Sequence, residues 1–440
     1  MGWVVFTTRR KQNLSIFFWY LNMFILLLLL LVFTGLETTG TTFSVGVCYG
    51  RVANNLPPAE EVIDLYKTNR IERMRIYDPD QPTLEALRGS NIELVIGVRN
   101  EDIQSIANSV SLATNWVQNN VLKYSQDVKF RYIVVGNEID PNNDQASNFV
   151  VLAMQNIYTS LASAKLQNQI KISTAIQMNL SGSSYPPSTG AFSDSSISFI
   201  TPIVNFLVEN EAPLLVNMYT YFSYIRDPNN VDLSFALFNS QTDRAIDGKY
   251  EYRNLFDASL GAIYAALEKV GGANLEVVVS ESGWPSDGGV AATVENAQIY
   301  YENLFNHVSS GTPNRPNQAL ETYLFAMFDE NQKGPAETER HFGLFTPNKQ
   351  LKYQITQMHG SSNSTSSSSS SQSGPGSSSQ SGQGGITYFT SSSSSSRQSG
   401  GMGWVVFTTR RKQNLSIFFW YLNMFILLLS LLVFTGLEKT

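Results

Sequence analysis

Residues 275–288 read LEVVVSESGWPSDG, and the fold can be worked out from this stretch. It begins with three valines, 277–279, which favour a buried strand because β-branched side chains pack well on a pleated sheet. It then presents one carboxylate, Glu281, and turns at once through Gly283 and Pro285. A strand that ends in an acid at a turn is typical of a rigid scaffold that carries chemistry at its rim. Taken alone, Glu281 could equally mark the point where a strand meets solvent.

The same arrangement recurs along the central part of the chain. Eight short apolar runs rich in Val, Ile, Tyr or Leu cover residues 44–50, 73–78, 93–100, 132–138, 170–178, 214–222, 275–281 and 322–330. Segments with apolar residues at helical spacing lie between them, at residues 59–68, 103–121, 149–165, 197–210, 256–270 and 294–308. Eight strand-helix units predict an α/β fold, a (β/α)8 TIM barrel whose active site lies where the strands end. The competing doubly wound sheet would carry a Gly-rich phosphate loop after its first strand, and SVGVCYGRVANN contains none.

The connection after strand six is longer than an ordinary barrel loop. Residues 223–254 separate the sixth apolar run from the next helical segment and are rich in Asn, Asp and Tyr. Long connections in compact domains usually have structure or function of their own. We therefore predict a small subdomain, inserted after strand six, that forms one wall of a cleft.

The composition excludes several classes of function. Charged residues make up only 15% of the 440 residues and the formal net charge is −6, although both ends are basic. The central part is therefore an acidic body with no basic face for nucleic acid. The three histidines are scattered without ligand spacing, so we expect no metal and no other cofactor. The single cysteine, Cys48, excludes an intramolecular disulfide, and its apolar surroundings predict a buried, inert thiol.

The two ends of the chain have nearly the same sequence. Residues 1–39 combine a basic cluster with a long apolar run, which is typical of a signal peptide or signal anchor processed between Thr39 and Ser44. Residues 402–440 repeat this segment with two differences, Leu29 against Ser430 and Thr38 against Lys439. The second copy is either a membrane tail or lipid-anchor signal, or the trace of a fused or misassigned gene start. Membrane association through these terminal segments is thus one alternative.

The chain divides into four parts on this basis. We expect a leader at 1–43, a folded domain at 44–358, a linker at 359–401 and the hydrophobic tail at 402–440. The linker is almost wholly Ser, Gly and Gln, a composition that cannot bury enough apolar surface to offset chain entropy, so we expect it to be disordered. N-glycosylation sequons at Asn179 and Asn363 agree with export from the cytosol.

Two of the predicted strands end in a glutamate. Strand four ends in VVGNE, with Glu138, and strand seven ends in VVVSE, with Glu281. In a barrel these side chains project into one rim from opposite sides. Two facing carboxylates without metal ligands suit glycoside hydrolysis, in which one acid protonates the leaving oxygen and the other attacks or stabilises the sugar. The same pair could instead bind a cation or a lysine.

The residues around these glutamates resemble a known family. VVVSESGWPS at 277–286 matches the signature of the plant endo-β-1,3-glucanases of glycoside hydrolase family 17, and MRIYDPD at 74–80, VVGNE at 134–138 and FDENQK at 328–333 fit as well. The resemblance extends from VGVCYG at residue 45 to FGLFTPNK at residue 349, and implies the same barrel. One departure is Tyr219-Thr220-Tyr221, where the family usually has Tyr-Pro-Tyr.

The resemblance implies the roles of the two glutamates and places Glu330 and Lys333 in the site, and the chemistry of the remaining residues suggests a role for each. Glu281 would be the nucleophile and Glu138 the acid/base of a retaining hydrolase, with their carboxyl groups about 5 to 5.5 Å apart. Asn137 would hold the sugar 2-hydroxyl, and Glu330 and Lys333 would set the charge around Glu281. Four aromatic side chains would offer faces to sugar rings, with core packing as the alternative: Tyr49, Tyr77, Tyr219 and Phe222.

The implied function is endo-hydrolysis of β-1,3-glucans by a monomer that is secreted to the extracellular space or cell wall, or delivered to the vacuole. Defence and wall remodelling are roles that only the family implies. Two other functions stay open: a glucan transferase that uses the same covalent intermediate, and a catalytically silent wall protein that binds glucan. The presence of both Glu138 and Glu281 argues against silence, because a binding module needs no paired acids.

Overall fold

The computed structural model describes Met23 and residues 45–241 and 245–355. The predicted leader, apart from Met23, the linker with Asn363 and the repeated tail lie outside these residues. Within them, no helix combines the length and the apolar character needed to cross a bilayer.

Eight parallel strands close into a barrel in sequential order, so the predicted (β/α)8 fold is confirmed. The strands are β1 Gly46–Cys48, β2 Arg73–Ile76, β3 Glu93–Val98, β4 Lys129–Asn137, β5 Lys171–Gln177, β6 Leu214–Asn217, β7 Val277–Ser282 and β8 Thr322–Leu324. The barrel closes where β8 pairs with β1, with Gly46 opposite Tyr323.

Helices surround the barrel: α1 Ala59–Thr68, α2 Gln81–Ala86, α3 Ile103–Asn108, α4 Val110–Val117, α5 Val150–Ser163, α6 Asp194–Glu209, α7 Thr220–Arg226, α8 Leu233–Ala236, α9 Leu255–Lys269 and α10 Val294–His307. The sequence predicted one helix over 103–121, and this was wrong because Ser109 is extended and its side chain caps α4 by accepting from Leu112 N. Helix α2, whose first turn contains Pro82, was not predicted.

Two predicted strands extended too far. The sixth run was predicted to continue to residue 222, but β6 ends at Asn217 and α7 begins at Thr220. The eighth run was predicted to continue to residue 330, but β8 ends at Leu324. The aromatic residues that favour strands begin helix α7 in the first place and occupy the loop above the barrel in the second.

The stretch after β6 contains α7, α8 and a two-stranded hairpin formed by Ala245–Asp247 and Tyr250–Tyr252. A small apolar cluster connects this hairpin to α9 through Ala245, Tyr252 and Ala258. That the stretch is a subdomain of its own stays a prediction.

Both faces of the barrel strands are buried, as expected of parallel strands covered by helices. On β3, Leu94, Ile96 and Val98 pack into the core between strands and helices, whereas Val95 packs into the core inside the barrel. This alternation follows from the two-residue period of a strand. The apolar layers hold the strands rigidly beneath the loops that carry the site.

An ion-pair network fills the barrel at the amino-terminal ends of its strands. Glu321, only 6% exposed, accepts hydrogen bonds from Arg131 Nε at 2.8 Å and Arg131 Nη2 at 2.5 Å. The hydroxyls of Tyr132 and Tyr323 donate to the same carboxylate at 3.1 Å and 2.8 Å. All four donors serve one buried acid, so its charge is fully partnered.

Candidate active site

A cleft of about 1520 Å³ lies at the carboxyl ends of the strands. All nine residues predicted for the site line it: Tyr49, Tyr77, Asn137, Glu138, Tyr219, Phe222, Glu281, Glu330 and Lys333. They lie at the carboxyl ends of β1, β2, β4, β6, β7 and β8 or just after them, so the barrel gathers residues that are up to 284 positions apart in the sequence.

Glu138 reaches the cleft because β4 is irregular at its end. The pairing of β4 with β5 slips between Val134 and Asn137, which is the mark of a bulge that re-aims a side chain. Gly136 and Glu138 both have positive φ, +84° and +54°. The turned backbone is held by Glu138 N, which donates to Ala175 O at 2.8 Å. The Asn100 side chain holds the preceding residue by pairing with both main-chain groups of Asn137.

Glu281 lies on a similar slip in β7, which shifts register against β6 between Val279 and Glu281. The residue is 5% exposed and both of its carboxylate oxygens accept hydrogen bonds. Oε1 accepts from Arg75 Nη1 at 2.9 Å and from the Tyr77 hydroxyl at 2.7 Å. Oε2 accepts from the Tyr219 hydroxyl at 2.6 Å. A guanidinium and two hydroxyls thus partner both oxygens of this carboxylate and fix its direction.

Arg75 is central to the site and was missed from the sequence. The residue is 1% exposed, and its guanidinium donates, besides Glu281, to Ser280 O at 2.8 Å and to Asn217 Oδ1 at 3.0 Å. Its other terminal nitrogen donates to Asn137 Oδ1 at 2.7 Å. The strand RMRI carries two arginines, Arg73 and Arg75, and nothing in the sequence indicates that the second is the buried one, whose charge requires partners.

Asn217, at the end of β6, was also missed. Its Nδ2 donates to Glu138 Oε1 at 2.8 Å and to Asn137 Oδ1 at 3.1 Å. Its Oδ1 accepts from Arg75 and from Ser280 Oγ, the latter at 2.7 Å. One amide therefore connects the two glutamates: it binds Glu138 directly, and Glu281 through the guanidinium of Arg75.

The two carboxylates have different electrostatic surroundings. Burial and, to a lesser extent, the negative charge of Glu281 together raise the pKa of Glu138 to about 7, against the opposing hydrogen bond from Asn217. Glu281 instead accepts from a buried cation. Two acids whose environments differ in this way are suited to separate roles, one as a proton donor and one as a carboxylate.

The side-chain oxygen of Asn137, Oδ1, accepts two hydrogen bonds, one from Arg75 and one from Asn217. In the part of the chain that the structure describes, no bond is seen from its Nδ2, so this amide can still donate to a ligand. The predicted role toward a sugar hydroxyl is compatible with this arrangement.

The four predicted aromatic faces divide into two groups. Tyr77 and Tyr219 use their hydroxyls on Glu281, so they hold the nucleophile candidate as well as lining the cleft. Tyr49 is 4% exposed and packs edge-on against Phe328, while the half-buried Phe222 packs edge-on against Tyr219, with 5.4 Å between ring centroids.

Thr220, which stands where the resembled family usually has proline, lies at the start of α7 and changes little there. Thr220 is the first residue of this helix, a position where proline is well tolerated, and its hydroxyl donates to Ala236 O at 3.0 Å. Tyr221 is 1% exposed and packs edge-on against Trp284, so it offers no face to the cleft.

Glu330 and Lys333 lie together at the side of the cleft next to the β1 loop. Glu330, 3% exposed, accepts from Val52 N at 2.8 Å, and burial raises its pKa while the Lys333 charge opposes this. The Lys333 ammonium lies 3.9 Å from Glu330 and 3.2 Å from Glu339, above the ring of Phe325. The ammonium thus counters two carboxylates at this wall.

Cys48 lies below the site and is fully buried, with its thiol donating to Ser280 O at 3.3 Å. Burial raises its pKa to about 12, as expected of an unreactive thiol. Among the described residues, no group of His, Cys, Asp and Glu has the arrangement of a metal site.

Comparison with known proteins identifies the domain. The family model of the glycosyl hydrolases family 17 matches residues 45–357. A glucan endo-1,3-β-glucosidase of Vitis vinifera is 60% identical over 315 residues, which is 71% of this chain and 91% of that protein. A basic vacuolar isoform of the same enzyme from Nicotiana plumbaginifolia is 51% identical over 332 residues, 75% of this chain and 90% of its own. The solved structure of a β-1,3-glucanase and pollen allergen of Cryptomeria japonica has 45% identity and a TM-score of 0.69, covering 71% of this chain and 98% of that one.

Proposed function

The chain belongs to the glycosyl hydrolases family 17, and we propose that it hydrolyses internal β-1,3-glucosidic bonds in β-1,3-glucans. The observation that carries this proposal is the pair of glutamates in one cleft, of which Glu138 has a pKa raised to about 7 while Glu281 is bound by Arg75. A cleft lined by residues at the carboxyl ends of six different strands suits a polymeric substrate, because a long chain can lie across it.

We assign the chemistry to two displacements. In the first, the Glu281 carboxylate attacks the anomeric carbon while Glu138 gives its proton to the departing glycosidic oxygen, so that a glucosyl ester replaces the glycosidic bond. In the second, Glu138 takes a proton from water, whose oxygen attacks the same carbon and releases Glu281. Glu138 ends as the acid again, and the β configuration is retained.

The two oxygens of Glu281 are bonded unequally, and this favours one of them as the attacking atom. Oε1 accepts two hydrogen bonds, from Arg75 and Tyr77, whereas Oε2 accepts only one, from Tyr219. We assign the attack to Oε2, because forming a bond there disturbs fewer partners. Oε1 then becomes the carbonyl oxygen of the ester, and its two donors polarise that carbonyl for the second displacement.

The stereochemical outcome tests the retaining assignment. Retention requires the carboxyl groups to be about 5 to 5.5 Å apart, whereas inversion requires a wider gap that admits a water molecule. We expect proton NMR of the first products from a β-1,3-glucan to show the β anomer at the new reducing end. Release of the α anomer would contradict the double displacement.

The roles of the two acids are tested by matched substitutions. We expect Glu138→Gln to lower kcat on β-1,3-glucan by about 10²- to 10⁴-fold. The rate of the first displacement should be unchanged on a β-1,3-linked glucose disaccharide with dinitrophenol as its leaving group, because dinitrophenolate departs without a proton. Glu281→Gln should abolish both reactions with an unchanged circular dichroism spectrum. Full hydrolysis by Glu281→Gln, or equal losses on the two substrates for Glu138→Gln, would refute the assignment.

The products distinguish hydrolysis from the two other functions. Hydrolysis shortens a β-1,3-linked oligosaccharide, transfer yields longer ones, and a binding protein leaves the substrate unchanged. We propose hydrolysis as the dominant outcome, and chromatography of the products over time measures it directly.

We further propose that the protein acts outside the cytosol, secreted or in the vacuole. The leader-like residues 1–43 and the similarity to a vacuolar isoform support this proposal. Mass spectrometry of the mature protein from its native tissue would locate both ends of the chain. A mature chain that retains residues 402–440 would support the membrane alternative, and its loss would support release. Light scattering of the purified protein would test the expected monomer.

A further inference from the structure

One aromatic side chain on the cleft wall has no role in the chemistry above. Tyr185 is 74% exposed, the largest exposed fraction of any bulky apolar side chain in the described residues. It lines the same cleft as the two glutamates. Within that described part, its hydroxyl makes no hydrogen bond. A large exposed ring that neither packs nor bonds is unusual on a soluble domain unless it contacts a partner.

The loop that carries Tyr185 is firmly held. Ser188 donates from its main-chain N and its hydroxyl to the buried carboxylate of Asp247, at 2.5 Å and 2.7 Å. The Lys269 ammonium donates to Thr189 O at 2.8 Å. Gly190 packs so closely on α9 that an added Cβ would lie 2.2 Å from Ala262 O. The ring therefore stands on a fixed base, and binding through it would order little of the chain.

Tyr185 also belongs to a continuous wall that starts beside Glu138. Gln177 Nε2 donates to Glu138 O at 3.5 Å where β5 ends. From that point the chain lines the cleft through Gln177, Met178, Asn179, Ser181, Ser184 and Tyr185. Serine and asparagine dominate the outer part of this wall, so the ring of Tyr185 is the apolar surface there.

We propose that Tyr185 is a stacking platform for a glucosyl ring away from the bond that is cut, and that it gives the enzyme a preference for long chains. This inference rests on the proposed function and adds a specificity-determining residue to it. Glucosyl rings carry apolar C–H faces, and a rigid aromatic ring can cover such a face at little cost in side-chain entropy. A short substrate that occupies only the centre of the cleft would not reach the platform.

The test compares three variants on β-1,3-linked oligosaccharides of increasing length and on the soluble polymer. We expect Tyr185→Ala to lower kcat/KM about three- to tenfold on the polymer and the longest oligosaccharides, and to leave the shortest cleaved substrates unchanged. Tyr185→Phe should keep the wild-type values, because the face remains. The matched control is Val290→Ala, which truncates a side chain that is 70% exposed and does not line the cleft.

Three results would overturn the platform: an equal loss on short and long substrates, no loss on the polymer, or a loss in Tyr185→Phe as large as in Tyr185→Ala. A measurement of glucan binding distinguishes failure of the platform from failure of the proposed hydrolysis, because binding does not depend on cleavage. In a Glu281→Gln background, calorimetry with a β-1,3-glucan of about ten units should show weaker binding after Tyr185→Ala. If the unsubstituted chain binds glucan but releases no shorter product, hydrolysis is refuted while the platform is still tested.

Discussion

Substitution of Asn217 tests how the site controls the pKa of Glu138, its proposed proton donor. Its amide is a hydrogen-bond donor to the Glu138 carboxylate, at 2.8 Å, and this bond favours the ionised form. Replacing Asn217 by Ala removes that donor. Burial and the charge of Glu281, the two stronger influences, still raise the pKa of Glu138, and one of the contacts that lower it is gone. The pKa of Glu138 must then increase from its value of about 7.

The size of the shift follows from ordinary hydrogen-bond energies. A bond to a charged group is worth about 1.5–3 kcal/mol, and a neutral acid would keep roughly half of it. The difference between the two protonation states is then about 0.7–1.5 kcal/mol, which corresponds to roughly 0.5–1 pH unit. Because the acid must be protonated to act, a higher pKa moves the alkaline limb of the pH profile to higher pH.

The measurement is kcat/KM on soluble β-1,3-glucan as a function of pH, which reports the ionisations of the free enzyme. We expect the alkaline limb of Asn217→Ala to move up by about 0.5–1 unit, even though the rate at every pH is lower. Asn100→Ala is the matched control, because the Asn100 side chain binds only the main chain of Asn137. A limb in Asn217→Ala that stays in place or moves to lower pH, in a protein that remains folded, would refute the reasoning.

Three further predictions concern other parts of the barrel. Arg75→Lys should lower kcat/KM by about 10²-fold or more, because a compact ammonium cannot span the four acceptors of the guanidinium; wild-type kinetics would contradict this. Glu321→Gln should lower the free energy of unfolding by about 1–3 kcal/mol in urea titrations, because the half-buried Arg131 loses a charged partner. The value of kcat/KM per folded molecule should be unchanged, and a loss of activity without a loss of stability would contradict this prediction. Gly50→Ala should lower kcat/KM about tenfold, because its Cβ would lie 2.3 Å from Glu330 Oε2, whereas Gly334→Ala, with open space around it, should have no effect.

The barrel could be predicted from sequence because its strands are buried on both faces. Such strands are continuous apolar runs, and the carboxylates at the ends of two of them stood out as exceptions. The family resemblance is confirmed by the match over residues 45–357. Its assignment of roles to Glu281 and Glu138 stays a proposal, which the substitutions above test.

Arg75 and Asn217 could not be found in the same way. Each is a polar residue at a buried position of a strand, and its partners lie far away in the sequence, 206 positions for the pair of Arg75 and Glu281. Nothing local distinguishes such a residue from one that points to solvent. The predicted end of the sixth strand was wrong for a related reason, because it depends on tertiary packing. Aromatic residues favour strands, but packing above the barrel places Tyr221 in a helix.

The slips in β4 and β7 have a consequence for how such a barrel can change. Below each slip the pairing of β4 with β5 and of β7 with β6 keeps one register, whereas above it the added residue changes which side chain faces the cleft. Deleting a residue near Gly136 would therefore turn Glu138 away from the cleft without disturbing the layers beneath. We therefore expect single-residue insertions and deletions at these two strand ends to change the side chains at the rim while the barrel beneath keeps its packing.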